Sequence, residues 1–241
     1  MDSVPAGLVV WDVDGTLIPA DLRWLRRAIA RTYRIGEAAV VFPSQRVHGY
    51  TDESIAVDTA ICSGVEPDAA EDGIPRFRDV LSDVMAEGRE ELARDQAAYP
   101  GAAGTIAALY EHGFTQTVLT GNLRTAAEIK LNATGLDRYL DLDLGGFGSD
   151  ARDRFALTAI VSERFQMRFG QALDPLRTII IGDAPNDIAC ARYAGFRVVV
   201  VANRLAHEEL AKHHPDAILD QLTPDSVVSV VRSLVLQSMH P

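Results

Sequence analysis

Leu8-Val9-Val10-Trp11-Asp12-Val13-Asp14-Gly15-Thr16-Leu17 is an apolar strand that runs directly into two carboxylates one residue apart. Side chains alternate along a strand, so Asp12 and Asp14 share a face while the chain stays extended. Gly15 then permits the turn that leaves both at the strand's tip. Placed there, one carboxylate can attack while the other moves a proton. The competing interpretation of the same residues is a buried strand closed by a solvated Asp-Gly turn.

The chain beyond residue 100 favours the first reading. Short apolar runs alternate with amphipathic segments: a helix near 101–112, a run at Thr115–Leu119, and a helix over about 123–134. Further runs follow at Leu142–Phe147, Thr178–Ile181 and Arg197–Ala202, separated by helical stretches near 153–169 and 186–194. This rhythm predicts an α/β fold, a parallel sheet covered by helices on both faces. Val227, Val230, Val231 and Leu234 stand at helical spacing in a final helix, Pro224–Gln237. Residues 18–99 differ, being rich in Ala, Arg, Asp and Glu with helical periodicity and no strong central strand. They read as a helical insert that ends at the Tyr99-Pro100-Gly101 turn signal, leaving 1–17 and 100–241 as the core. An insert at that point sits over the C-terminal end of the first strand, where open α/β sheets bind ligands, and is expected to act as a lid.

Bulk properties narrow the function. The 241 residues are 47% hydrophobic, enough for a sizeable core, and carry a formal net charge of -11. Nucleic acid or an anionic membrane surface as main partner would need a basic face, and there is no lysine-rich run. An anionic substrate must therefore be drawn by local charge. Cys62 and Cys190 form no C-x-x-C pair, which argues against both a disulfide framework and a thiolate metal site. No signal segment opens the chain and no apolar run reaches the roughly 18 residues of a membrane span, so a cytoplasmic protein is expected.

Three further strand ends carry polar groups. Gln116-Thr117-Val118-Leu119 runs into Thr120-Gly121-Asn122, a hydroxyl followed by backbone N–H groups at a helix start, able to hold an oxyanion. Thr120 also reads simply as an N-terminal helix signal. Ile179-Ile180-Ile181-Gly182-Asp183-Ala184-Pro185-Asn186-Asp187 again delivers carboxylates to a strand tip. With Asp12 these acids can hold a hard divalent cation such as Mg²⁺, which takes oxygen ligands; otherwise Asp183 is a turn residue and Asp187 complements a helix dipole. Without a cation, converging carboxylates repel and raise one another's pKa. Arg152-Asp153-Arg154 follows Gly145-Gly146-Phe147-Gly148-Ser149-Asp150 and reads either as a solvated face at a helix start or as a basic group for phosphate charge, with Arg154 preferred over Arg152.

DVDGTL, TGN, the basic residue and GDAPND, in this order on successive strand ends from about residue 8 to 202, resemble the four motifs of the haloacid dehalogenase superfamily, phosphatase branch. The resemblance implies a Rossmann-like core with an inserted α-helical cap, Mg²⁺ dependence and a phospho-aspartyl intermediate. It gives Asp12 the roles of nucleophile and metal ligand, and Asp14 those of acid and base, with its backbone carbonyl on the metal. Thr120, with Gly121 and Asn122, and Arg154 would bind the phosphoryl group, and Asp183 the metal, with Asp187 in support. Asp14 must carry a proton when the alkoxide leaves, which a crowded anionic setting would favour.

Two departures from the family pattern stand out. Arg154 takes the place of the more usual Lys. His48-Gly49-Tyr50-Thr51-Asp52 resembles the G-R-T-D element of phosphoglycolate phosphatase-like members, but Tyr50 replaces its cation, which speaks against a small carboxylate-bearing substrate. The same segment reads as a helix start with Thr51 capping and Asp52 meeting the dipole. Asp14 favours phosphate chemistry over carbon-halogen cleavage. Lys130 and Lys212, the only lysines, both lie outside the insert, against a Schiff-base mechanism. The basic pair that related mutases carry in the cap is not found. The expected function is hydrolysis of a small phosphorylated metabolite; a phosphomutase, a dehalogenase and a non-catalytic phosphate-binding module are the alternatives. Arg23, Arg26, Arg27, Arg31 and Arg34 fit a helix face and are expected to be solvated, while Arg46 is not placed by this pattern.

Overall fold

The computed structural model describes residues 5–44 and 50–237. Among them, β1 (Leu8–Trp11), β2 (Thr115–Thr120), β3 (Gly146–Phe147), β4 (Thr178–Gly182), β5 (Arg197–Val201) and β6 (Ala217–Leu219) form one sheet in the order β3-β2-β1-β4-β5-β6. All its pairings are parallel, and central β1 sets Val10 between Thr117 and Ile180. Between β1 and β2 the chain forms α1 (Arg23–Tyr33), α2 (Asp52–Cys62), α3 (Pro67–Asp72), α4 (Ile74–Glu87) and α5 (Arg89–Asp95). Then follow α6 (Ala102–Glu111) before β2, α7 (Arg124–Ala133) after it, α8 (Ala156–Phe169) before β4, and α9 (Pro185–Ala194) after β4. The last helices are α10 (His207–Ala211) and α11 (Pro224–Gln237). No described helix is long and apolar enough to cross a membrane.

The strands are apolar almost throughout because both faces of the sheet are covered. Alternation assigns Val9, Trp11, Val118, Ile179, Ile181 and Val199 to one face, packed with Ile106 of α6, Leu131 of α7 and Val231 of α11. Leu8, Val10, Leu119, Ile180 and Val198 take the other face, against Leu157 and Val161 of α8 and Ile188 of α9. The helices between β1 and β2 have an apolar core of their own. On α4, Phe77, Leu81, Val84 and Met85 recur at helical spacing and meet Leu25, Ala28 and Ile29 of α1 and Ile55 and Ala60 of α2. Ala126 of α7 also belongs to that core, so α7 packs on the sheet with one side and on the inserted helices with another.

The chain runs from β1 outward through β2 and β3, then returns to β4 on the opposite side of β1. The crevice between the C-terminal ends of β1 and β4 is thus the topological switch point, where open α/β sheets place their ligands. Two details differ from the sequence reading. Of the apolar run 142–147 only Gly146–Phe147 is strand, because turns from Asp141 to Leu144 and from Leu142 to Gly145 occupy the residues before it. The short edge strand β6 was not anticipated; three half-buried residues carry too little pattern to announce a strand.

One buried polar pair ties β1 to its neighbours. The Trp11 indole N–H donates to Gln116 Oε1 at 3.1 Å, and Gln116 Nε2 donates to the carbonyl of Ile106 at 2.8 Å. Gln116→Leu strands the buried indole donor and is expected to cost about 1–3 kcal/mol, read as a lower urea midpoint at unchanged slope.

Candidate active site

Asp12 leaves the end of β1 with its backbone N–H still donating to Ile181 at 2.9 Å, which holds the residue in register with β4. Asp183 follows the last residue of β4, and Asp187 stands in the first turn of α9. One carboxylate oxygen from each of Asp12, Asp183 and Asp187 lies within 4.8 Å of the others, and all three residues are buried. Gly15 makes this approach possible: its φ is +97°, and a Cβ there would lie 2.5 Å from Asp183 Oδ2. Asp187 Oδ2 accepts from the backbone N–H groups of Asp183 and Ala184 at 3.1 and 3.0 Å, which fixes the loop between β4 and α9.

Arg154 enters the cluster from the loop before α8. Its Nη2 donates to Asp12 Oδ1 and to Asp187 Oδ1, each at 2.7 Å, and its Nε is buried without a partner. Arg152 faces the other way, pairing with Glu53 at 3.2 Å and Glu71 at 2.6 Å on the inserted helices. Arg204 Nε donates to the outer oxygen of Asp183. Burial, together with the charges of Asp187 and Asp183, pushes the Asp12 carboxyl up to about 8 against the pull of Arg154. Burial and Asp187 raise Asp183 to about 6. Three buried oxygen donors with an excess of negative charge suit a hard divalent cation such as Mg²⁺.

The carboxylate of Asp14 stands apart from this cluster. The sequence reading sets Asp14 among anions; the structure instead sets a cation beside it. Lys130 Nζ donates to Asp14 Oδ2 at 2.6 Å and to Asn122 Oδ1 at 3.1 Å, while Asp14 Oδ1 is buried without a partner. Lys130 lies outside the inserted helices, as its position in the chain implies, yet it reaches into the cleft. The signal was present: Lys130 shares the buried stripe of α7 with Ala126, Ala127 and Leu131, an unusual place for a lysine.

Thr120 Oγ1 accepts from the backbone N–H of Asn122 at 3.2 Å. The Gly121 carbonyl accepts from the Asp52 N–H at 2.7 Å, and a Cβ at Gly121 would lie 1.9 Å from the Tyr50 carbonyl, so only glycine lets these backbones meet. Thr51 caps α2, as one reading of this segment expects. Asp52 does more than face its own helix. It accepts from the Leu123 N–H at 2.9 Å and from Asn122 Nδ2 at 3.3 Å, at the start of α7, and burial raises its carboxyl to about 6. His48, Gly49 and Arg46 lie outside the described residues.

These groups line a cleft of about 660 Å³, open solvent at its mouth included. Asp12, Asp14, Thr120, Lys130, Arg154 and Asp183 form its polar side; Trp24, Leu25, Ile55, Leu81 and Met85 form an apolar side. Most of the arginines of α1 are held in contacts rather than simply solvated. Arg23 and Arg27 both pair with Glu91, at 2.8 and 2.7 Å, Arg31 pairs with Glu87 at 2.8 Å, and Arg26 donates to the Val40 carbonyl at 2.6 Å.

The folded chain keeps the Asp12 proton to a higher pH than the unfolded chain, in which that carboxyl has its usual value of 3.8. The Asp12 contribution to stability in EDTA therefore falls as pH rises toward about 8. Thermal unfolding across that range checks this: wild-type protein loses stability with rising pH, and Asp12→Asn flattens the loss.

Comparison with known proteins bears on the fold and the family. Residues 9–192 match the family model of haloacid dehalogenase-like hydrolases. A phosphoglycolate phosphatase of Vibrio parahaemolyticus is 24% identical over 221 residues, covering 90% of this chain and 92% of the relative. Among solved structures, a predicted phosphoglycolate phosphatase from Haemophilus somnus superposes with TM-score 0.64 at 22% identity, covering 92% of this chain and 97% of the other. CbbY from Rhodobacter sphaeroides, in complex with phosphate, gives TM-score 0.63 at 21% identity, covering 89% and 94%.

Proposed function

The chain belongs to the haloacid dehalogenase-like hydrolase family, and from that membership and the cleft's geometry we propose that it is a Mg²⁺-dependent phosphatase acting on a small phosphomonoester through a phospho-aspartyl intermediate. The observation that carries this reading is the placement of Asp12, at the tip of β1, against Asp183, Asp187 and Arg154 at the switch point of the sheet.

Asp12 is the nucleophile. Its carboxylate oxygen bonds to phosphorus as the ester P–O bond breaks, dividing one difficult hydrolysis into two easier displacements. Asp14 gives its proton to the departing alkoxide and afterwards takes one from the water that attacks the phospho-aspartate. Arg154 offsets charge on the transferring group, and its unpartnered Nε is a donor in reserve for a phosphoryl oxygen. The Thr120 hydroxyl and the Gly121 and Asn122 N–H groups take further oxygens. Asp12, Asp183 and the Asp14 backbone carbonyl, with Asp187 in support, would hold Mg²⁺, which when bound draws negative charge off the phosphoryl oxygens. Residues 18–99 act as the cap that excludes water during turnover.

The substrate class follows from local charge and from the relatives. Homologues named phosphoglycolate phosphatase support a small phosphorylated metabolite. Cap residues Leu25, Ile55, Leu81 and Met85 would meet its alcohol portion.

Steady-state hydrolysis of an aryl phosphate by purified protein tests the reading. Turnover is expected with Mg²⁺, is lost in EDTA, returns on adding Mg²⁺, and is abolished in Asp12→Asn. Phosphate binding without turnover, across aryl phosphates and a panel of metabolite phosphates, would instead mark a binding module.

A further inference from the structure

Lys130 lines the cleft, and the phosphatase reading supplies no role for it. Its side chain is only 7% exposed, and it is delivered by the helix that packs on both the sheet and the inserted helices. A buried lysine is costly unless its charge is matched, so its partners indicate why it is there. They are Asp14 Oδ2 at 2.6 Å and Asn122 Oδ1 at 3.1 Å. Asn122 in turn donates to Asp52, which also takes the Leu123 N–H. Asp14, Lys130, Asn122 and Asp52 thus form one hydrogen-bonded chain from the end of β1 to the first turn of α2.

We propose that Lys130 is a positioning residue for proton transfer by Asp14: it ties down Oδ2, leaves Oδ1 as the atom that exchanges the proton with the leaving-group oxygen, and links that orientation to the seated α2 through Asn122 and Asp52. The inference rests on the phosphatase reading above. Its geometric support is the asymmetry of the Asp14 carboxyl, one oxygen on Lys130 and the other buried without a partner. A free carboxyl rotates about its last bond and presents either oxygen; a short contact on one oxygen removes that freedom before the substrate arrives. In the step itself, an Asp12 carboxylate oxygen bonds to phosphorus as the ester P–O bond breaks, with the electron pair of that bond going to the alkoxide oxygen. That oxygen takes the proton from Asp14 Oδ1, leaving a carboxylate whose other oxygen Lys130 still holds. Where α2 lifts from the loop at Gly121, the Asp52 anchor of Asn122 goes with it and the chain of contacts is broken.

The leaving group provides a readout that a merely structural lysine would not move. A nitrophenolate departs without help from an acid, whereas a simple alkoxide needs the proton. The quantity to compare is kcat/KM, which reports only steps through departure of the alcohol and so omits later hydrolysis of the phosphoenzyme. For Lys130→Met the account expects kcat/KM to fall about 100-fold or more on an alkyl phosphate and by less than about 10-fold on p-nitrophenyl phosphate. In an Asp14→Asn background, Lys130→Met is expected to leave the ratio of the two substrates unchanged. Lys130→Gln keeps an N–H donor for Asp14 and is expected to retain more of the alkyl activity; it decides the question if Lys130→Met does not fold. Equal losses on both substrates in whichever variant folds would overturn the proposal while leaving the phosphatase reading intact. Turnover by wild-type protein that survives Asp12→Asn would overturn that reading and this inference together.

Discussion

The guanidinium of Arg154 bridges two of the three acids on which the site is built. Asp12 and Asp187 each place an oxygen 2.7 Å from Arg154 Nη2, and Asp183 completes a buried cluster of like charges. Carboxylates brought this close and out of water repel, and removing one partner of a buried pair is far more costly than the pair is worth. Arg154 joins the acid at the tip of β1 to the acid in the first turn of α9, and Arg204 pairs with Asp183 at the tip of β4. Arginine suits the position because its several donors are held in one plane: one nitrogen spans two carboxylates while another remains for an incoming oxyanion. Three carboxylates, once ionised, outnumber the guanidinium groups of Arg154 and Arg204, and a divalent cation would supply the missing positive charge.

The rest of the fold serves this arrangement. Parallel strands deliver Asp12, Thr120 and Asp183 to the same end of the sheet, and the reversal of strand order at β1 opens the crevice there. The inserted helices have a separate apolar core and meet the sheet domain through specific polar contacts: Asp52 on the start of α7, and Glu53 and Glu71 on Arg152. These contacts sit beside Asn122 and Arg154, residues proposed to bind the phosphoryl group, rather than far from them. The two arginines of the Arg152-Asp153-Arg154 loop thus divide the labour, Arg154 turned to the acids and Arg152 to the helices above.

Much of this was legible in the sequence for a plain reason. Strands buried on both faces read as unbroken apolar runs, so a polar residue just past such a run announces a functional strand end; Asp12, Thr120 and Asp183 all stand out this way. Helical periodicity likewise marked the segment between Leu17 and Tyr99. What was not legible depends on contacts between residues distant in the chain. Lys130 stands on the apolar stripe of α7, but nothing in the sequence names its partner Asp14, 116 positions away. Asp52 looked like a helix-start charge because the N–H it caps belongs to a different helix. Gln116 drew no separate reading, and only the packing of Trp11 beside it makes it a buried donor and acceptor. Strand β6 was too short to carry a period at all.

The central claim is that Asp12 forms a covalent bond to phosphorus. The stereochemical course at phosphorus tests it most directly, using a phosphorothioate monoester made chiral with oxygen isotopes and hydrolysed in isotopically labelled water. Two successive in-line displacements, first by Asp12 and then by water, predict net retention of configuration. Net inversion would mean that water attacks the ester directly, and would contradict the account.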